Sequence, residues 1–165
     1  GQQKEITSMS TFTHGYANPK FKNKTSAGGS ASNNSVSPHT DIDFPLFRLG
    51  DVYLMYAEAQ LRLGNSAVAI EYVNLIRTRG FGNSSFNVST LTLDDILDER
   101  AREMQWEATR RTDLIRFGYF TSGDYVWPFK GGVKAGTSVP SFRNLYPIPS
   151  ADLTANSNLV QNPGY

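Results

Sequence analysis

Between Leu46 and Gly80, in "LFRLGDVYLMYAEAQLRLGNSAVAIEYVNLIRTRG", apolar residues recur every three to four positions. That is the period of an α-helix rather than the alternation of a strand. A first helix is predicted from about Leu46 to Leu63. Its polar stripe is narrow (Asp51, Glu58, Arg62), while Leu49, Val52, Tyr53, Leu54, Tyr56 and Leu61 cover much of the remaining circumference. A helix apolar on two sides is expected to lie between neighbours, as inside a helical solenoid. Gly64 stands where a helix needs a left-handed C-terminal residue, and Asn65 or Ser66 is placed to cap the next helix. That second helix carries Ala67, Ile70, Val73 and Ile76 at helical spacing and is predicted to end near Gly80. The small residues Ala57, Ala59, Ala67 and Ala69 permit a close antiparallel approach, and the "LG" before the turn fits one tetratricopeptide unit. A single unit cannot bury both its faces, so partners are expected elsewhere in the chain or outside it.

A third helix opens at "LTLDDILDER". Thr92 suits the N-cap, Asp94 and Asp95 fall in the first turn where the helix dipole favours anions, and Leu91 and Ile96 occupy the two staple positions. Helicity is predicted to reach Phe117, with a break near Ala108-Thr109. The flanks read differently. "KFKNKTSAGGSASNNSVSPHT" is a long loop, with Thr11-Phe12-Thr13 as the β-prone piece of a small hairpin. "GYFTSGDYVWPFKGGVKAGTSVPSFRN" is a glycine-rich loop with interleaved aromatics and room for two short strands. The closing "LYPIPSADLTANSNLVQNPGY" spaces Leu145, Tyr146, Ile148, Leu153, Leu159 and Tyr165 as apolar anchors. Its prolines lower the entropy lost on ordering, Ser150 is placed to cap a short turn, and the asparagines can bond their own backbone.

Composition narrows the function classes. At 165 residues the chain is one domain or a piece of a larger one, with enough length for a core. Sixteen Lys and Arg against fifteen Asp and Glu leave a net charge of +1, too small a basic field for a nucleic-acid protein. With no cysteine there is no disulfide, thiolate nucleophile or Cys-based zinc site. No stretch has the apolar length of a membrane span. His14 and His39 lie far apart without acidic neighbours at ligand spacing, and read as exposed loop histidines rather than a metal site; Asp41-Ile42-Asp43 is too little for calcium. The chain opens at Gly1-Gln2-Gln3 without an initiator Met, as a processed product or an excised piece would.

The candidate chemistry lies in "ILDERAREMQWEATRRTDLIRF". On one continuous helix Arg100, Glu103, Glu107 and Arg111 share a strip, with Glu99 and Arg110 beside it and apolar arcs on either side. Half-buried charges must find partners, so these residues, with the i,i+3 pair Asp113 and Arg116, are expected to form a structural ion network. Glycosidases need two carboxylates facing each other across a sugar, whereas Glu103 and Glu107 would point the same way. Arginines within i+3 or i+4 reach would also depress their pKa values, the wrong direction for a general acid. No nucleophile elbow, P-loop, HExxH, EF-hand loop or Rossmann glycine pattern occurs. No catalytic residue and no cofactor is assigned.

Three blocks, "DFPLFRLGDVYLMYAEAQLRLGN", "ILDERAREMQWEATRRTDLIRFG" and "LYPIPSADLTANSNLVQNPGY", resemble the C-terminal part of the RagB/SusD family, glycan-binding outer-membrane lipoproteins of Bacteroidetes. In the middle block Glu99, Arg100, Arg102, Glu103, Glu107, Arg110, Asp113, Leu114 and Arg116 match the family run. The family usually has Gly after the glutamate and an aromatic pair before Asp-Leu, where this chain has Ala108, Arg111 and Thr112. The resemblance covers residues 43 to 165 well. It implies an all-α, tetratricopeptide-like α-α superhelical scaffold with long irregular loops, a C-terminal strap and at most a small β-hairpin. Residues 1–45 would be a lead-in, 46–80 the helix pair, 91–117 the charged helix region and 118–165 loop and strap. Family members are substantially longer, so the chain is expected to be a C-terminal fragment or a truncated member, without the lipobox cysteine or its lipid anchor. The implied role is non-enzymatic: binding oligosaccharide or polysaccharide at the cell surface and passing it to a SusC-like TonB-dependent transporter. The rival reading is a tetratricopeptide-like protein-interaction module without direct glycan binding. No family motif places a sugar contact in this region. The loop aromatics Tyr125, Trp127 and Phe129 are the candidates from the residues themselves, against the alternative that Trp127 packs on the helices.

Overall fold

The computed structural model describes residues 3–30 and 42–165. His39 and Asp41 lie outside the described residues. The chain divides into two compact units, Gly1–Ala108 and Thr109–Tyr165. Both are helical and irregular. Among the described residues there are only two isolated bridges, Gln3 with His14 and Lys24 with Ser30. Thr11-Phe12-Thr13 forms no hairpin: the Thr11 and His14 amides donate back to Ser8 and Thr11 carbonyls, closing tight turns instead. Nor do strands form in the glycine-rich loop.

In the first unit α1 (Leu49–Arg62) and α2 (Ser66–Phe81) make the tetratricopeptide-like pair, and α3 (Leu93–Glu103) packs on both. Gly50 and Tyr53 near the start of α1 stand beside Ile76 and Arg79 near the end of α2, so the pair is antiparallel. Leu54, Ala57, Ala69, Val73, Ile76 and Ile96 form the core, with Tyr72 wedged edge-on against Tyr53 and Tyr56. Of the four alanines expected between the helices, Ala57 and Ala69 are fully buried, whereas Ala59 and Ala67 face outward. α1 starts at Leu49 rather than Leu46, and one side stays open: Leu49, Val52, Met55 and Tyr56 are 42–61% exposed. Two-sided burial is therefore not met within the described residues. Glu58, read as part of the polar stripe, is buried and takes its counter-charge from Arg62 one turn on.

Capping follows the sequence in part. Gly64 has φ +85, as the turn requires, and α2 stops at Gly82, φ +73, two residues beyond Gly80. Asn65 is the N-cap of α2 by position only, because its amide is drawn to the Gln60 side chain. At α3 the Thr92 hydroxyl accepts from the Asp95 amide while the Asp95 carboxylate accepts from the Thr92 N–H, a reciprocal capping box. Thr92 holds the Asp95 carboxyl below its ordinary range. Leu91 and Ile96 both join the core around this cap.

α3 does not run on to Phe117. It ends at Glu103, and Trp106 and Ala108 adopt left-handed φ of 62° and 61° before α4 (Arg110–Arg116) begins. The expected break near Ala108-Thr109 is therefore present, and it begins earlier, after Glu103, because side chains crowd a left-handed backbone and the helix cannot continue through it.

The second unit holds α4, 3-10 turns at Lys130–Gly132 and Ser141–Asn144, and α5 (Ser150–Ala155). Pro149, not Ser150, takes the N-cap position of α5. The strap is held mainly by polar contacts. Of its apolar anchors, Ile148 and Leu153 are half-buried and Leu145, Tyr146, Leu159 and Tyr165 are exposed. The Gln161 carboxamide bonds both the N–H and the C=O of Ile148, Asn162 donates to the Tyr146 carbonyl, and the Tyr165 hydroxyl donates to the Leu145 carbonyl. The Tyr165 ring meets Phe142 edge-on at 4.8 Å, and Gly164, φ +96, leaves no room for a Cβ against that Phe142.

Candidate functional site

Glu103 at the end of α3 and Glu107 in the turn after it take their counter-charges from other parts of the first unit. Arg48, immediately before α1, fans its guanidinium over them. Its Nε and Nη2 hold both Glu107 oxygens at 2.7 and 2.8 Å, its Nη1 pairs with Glu103, and Nη2 also reaches the Glu103 carbonyl at 2.7 Å. Lys20 adds a second cation on Glu107, and Arg79 grips both Glu103 oxygens at 2.6–2.7 Å. Glu99 is shared by Arg77 and Arg102, and Arg100 pairs with Asp51 of α1 at 2.8 Å. Gly50 makes space for this cluster: a Cβ there would stand 2.7 Å from Glu103 Oε1 and collide with Arg48.

Intrahelical spacing thus accounts for Glu99–Arg102 and, in the second unit, Asp113–Arg116, but not for Glu103 or Glu107. Arg110 goes to the Tyr125 hydroxyl, and Arg111 donates to the Arg143 and Asn144 carbonyls. Arg111 also stands over the Tyr146 ring at 3.8 Å and the Phe120 ring at 4.9 Å. Arg48 was missed because a lone arginine before a helix has no periodic signature. The available signal was the surplus of acids in α3 relative to bases at helical reach.

The Glu107 side chain is 2% exposed. Burial alone would push its carboxyl up, but the hydrogen bonds from Arg48 and Lys20 outweigh that and hold it below the usual range. The same carboxylates raise the Arg48 guanidinium, chiefly through Glu107. A carboxylate locked in its charged form by two cations has no proton to give a leaving group.

The three loop aromatics fare differently. Tyr125 is committed to packing: its ring stacks on Tyr119 at 5.5 Å and its hydroxyl meets Arg110. Trp127 and Phe129, both half-buried, line a cleft of about 540 Å³ together with Phe120, Ser138 and Arg143. Phe129 has a left-handed φ of 67°. The first unit has an aromatic groove that sequence reasoning did not single out, about 850 Å³, between Phe12, Tyr16, Phe21 and Trp106, with His14 and Asn18 on its wall. Phe12 is fully exposed and Trp106 65% exposed. His14 is half-buried rather than exposed and bonds Thr7 through Nδ1. Among the described residues no cluster of His, Asp or Glu is disposed to hold a metal ion. No described helix is long and apolar enough to cross a membrane.

A tetratricopeptide-like helical scaffold with aromatic clefts, its buried carboxylates tied up in ion pairs, is the class of protein so defined. The SusD family profile matches residues 3–165. The chain is 42% identical over 161 residues to the starch-binding protein SusD of Bacteroides thetaiotaomicron, covering 98% of this chain and 28% of that protein. It is 34% identical over 131 residues to SusD-like protein P25 of Formosa agariphila, covering 73% and 24%. Among solved structures, surface glycan-binding protein A from Bacteroides thetaiotaomicron superposes with a TM-score of 0.64 at 28% identity, over 82% of this chain and 29% of that one. A SusD superfamily protein from Parabacteroides distasonis gives 0.53 at 30% identity, over 76% and 28%. The chain belongs to the SusD family. It spans less than a third of the length of these relatives.

Proposed function

We propose that the chain is the C-terminal part of a non-catalytic glycan-binding protein of the bacterial outer surface, which passes oligosaccharide or polysaccharide to a SusC-like TonB-dependent transporter. The observation that carries this reading, beside family membership, is the cleft formed by Trp127 and Phe129. Sugars present C–H faces that lie on aromatic rings and hydroxyls that need polar neighbours. Here two rings stand next to the hydroxyl of Ser138 and the guanidinium of Arg143. The ion pairs of Glu99, Arg100, Glu103 and Glu107 in the first unit, and that of Asp113 with Arg116 in the second, favour a role in the fold over one in a reaction, with Arg110 spent on Tyr125.

A glycan array probed with the labelled chain, followed by calorimetric titration with soluble starch and other polysaccharides, tests the proposal. Binding should appear for at least one glycan and weaken more than tenfold in Trp127→Ala, the loss of one aromatic–sugar contact of about 1.5 kcal/mol. The rival interaction-module reading draws on the open side of α1, where Leu49, Val52, Met55 and Tyr56 face outward. Silence on every glycan, with tight capture of the transporter, would decide for that rival. Glu103→Gln and Glu107→Gln should lower stability and release no glycan hydrolysis product from either variant or parent.

A further inference from the structure

Lys130 lies within the cleft wall at 3% exposure, and its ammonium is met by main-chain oxygens. Nζ donates to the carbonyls of Ser122 and Tyr125 at 2.6 Å each and of Tyr119 at 3.2 Å. An ammonium has three protons, and three carbonyls take them, so the charge is buried without an unused donor. The Trp127 ring sits 4.7 Å away over the same nitrogen, within cation–π range. The backbone of Lys130 ties the other side: its N–H donates to the Trp127 carbonyl and its carbonyl accepts from Thr137. Phe129 and Gly131, on either side, both have left-handed φ, a conformation that a non-glycine residue keeps only where the surroundings enforce it.

We propose that Lys130 is the positioning residue of the Trp127–Phe129 cleft, its ammonium acting as a built-in cation that gathers the 119–125 carbonyls and presets the two rings before a ligand arrives. The inference rests on the cleft being the glycan site, since presetting matters only for a surface that binds. A carbonyl cage of this kind selects for a tetrahedral N–H donor and not for charge alone. A planar guanidinium cannot direct three protons into a pyramid of acceptors, so arginine is no substitute. The positioning effect lowers the conformational cost of binding, as any preorganised loop does.

The experiment uses the full chain carrying Trp106→Phe, which leaves Trp127 as the sole tryptophan. Acrylamide quenching of Trp127 fluorescence is read for Lys130, Lys130→Met, Lys130→Arg and Lys130→Ala, with helical circular dichroism alongside. Quenching should rise several-fold in all three variants, with the helical signal kept. In Lys130→Ala, added ethylammonium should restore the protection, and tetramethylammonium, which has no N–H, should not. Unchanged quenching in Lys130→Met overturns the proposal, as do equal effects of the two ammonium salts or no rescue by either. Loss of helix in step with the rise in quenching would make Lys130 a determinant of the whole fold, and so also overturn it. The quenching assay contains no glycan. Silence of the parent chain on every glycan of the array therefore counts against the glycan reading and leaves the positioning of Trp127 judged on its own data.

Discussion

At the scale of single residues, Ala108 shows how a departure in sequence becomes a backbone cost. Family members usually place Gly there, and in this chain Ala108 has a φ of 61°, where a Cβ is crowded by the backbone. Ala108→Gly should raise stability by about 1 kcal/mol, the relief of strain exceeding the entropy that glycine adds to the unfolded chain. Urea unfolding midpoints would show it; a destabilised variant would mean the turn is not strained. Arg48 is the counterpart among charges. Arg48→Ala removes the bidentate partner of a buried carboxylate and should cost about 3 kcal/mol. The same pairing makes stability depend on pH. The folded Glu107 carboxyl titrates below its ordinary value of 4.5, so the unfolded chain takes up the proton first as pH falls. Its stabilising contribution is complete above that value and is lost as pH drops through the lower folded one. Thermal melts from pH 7 to 3 should therefore fall at the acid end, and Glu107→Gln should flatten that fall. Thr92 with Asp95 was readable from the sequence because a cap is a local arrangement. Arg48 with Glu107 was not, because it joins residues 59 positions apart.

At the scale of elements, the helix pair and the start of α3 followed from apolar spacing and cap chemistry, since both act over one or two turns. The end of α3 did not. A break near Ala108-Thr109 was expected, but apolar spacing continues past Glu103 and carries no mark of the left-handed φ of Trp106 and Ala108 that goes with the earlier end. The strap was readable as an ordered segment and misread in its means: exposed anchors and side-chain-to-backbone bonds replace the apolar packing that its spacing suggested. Removing residues 145–165 would strip the Tyr146 ring from Arg111 and leave the guanidinium on two carbonyls and Phe120. That truncation should lower the melting temperature of the near-ultraviolet signal of Trp127 while glycan affinity at low temperature is kept. Affinity lost from a chain with an unchanged melt would show that the strap touches ligand.

At the scale of the whole chain, near-zero net charge and outward apolar side chains act together. A charge of +1 offers little mutual repulsion, and Leu49, Val52, Met55 and Tyr56 form an uncovered helical face. The chain should self-associate, with sedimentation giving a mass that rises with concentration; one monomeric species throughout would contradict this. Loop aromatics call for an explanation in the sequence, and two of those it offers, Trp127 and Phe129, line the cleft proposed here as the site. Tyr125 was separable from them only once Tyr119 and Arg110 were seen to claim it, and the Phe12–Trp106 groove joins residues 94 positions apart that no local pattern connects. The Gln161 carboxamide, lastly, stands in for a peptide group by bonding both polar atoms of Ile148. One of its two Nε2 protons is therefore held in a hydrogen bond to the Ile148 carbonyl. In a nitrogen-15-labelled sample, the solvent exchange of that proton would time each opening of the strap without any added probe.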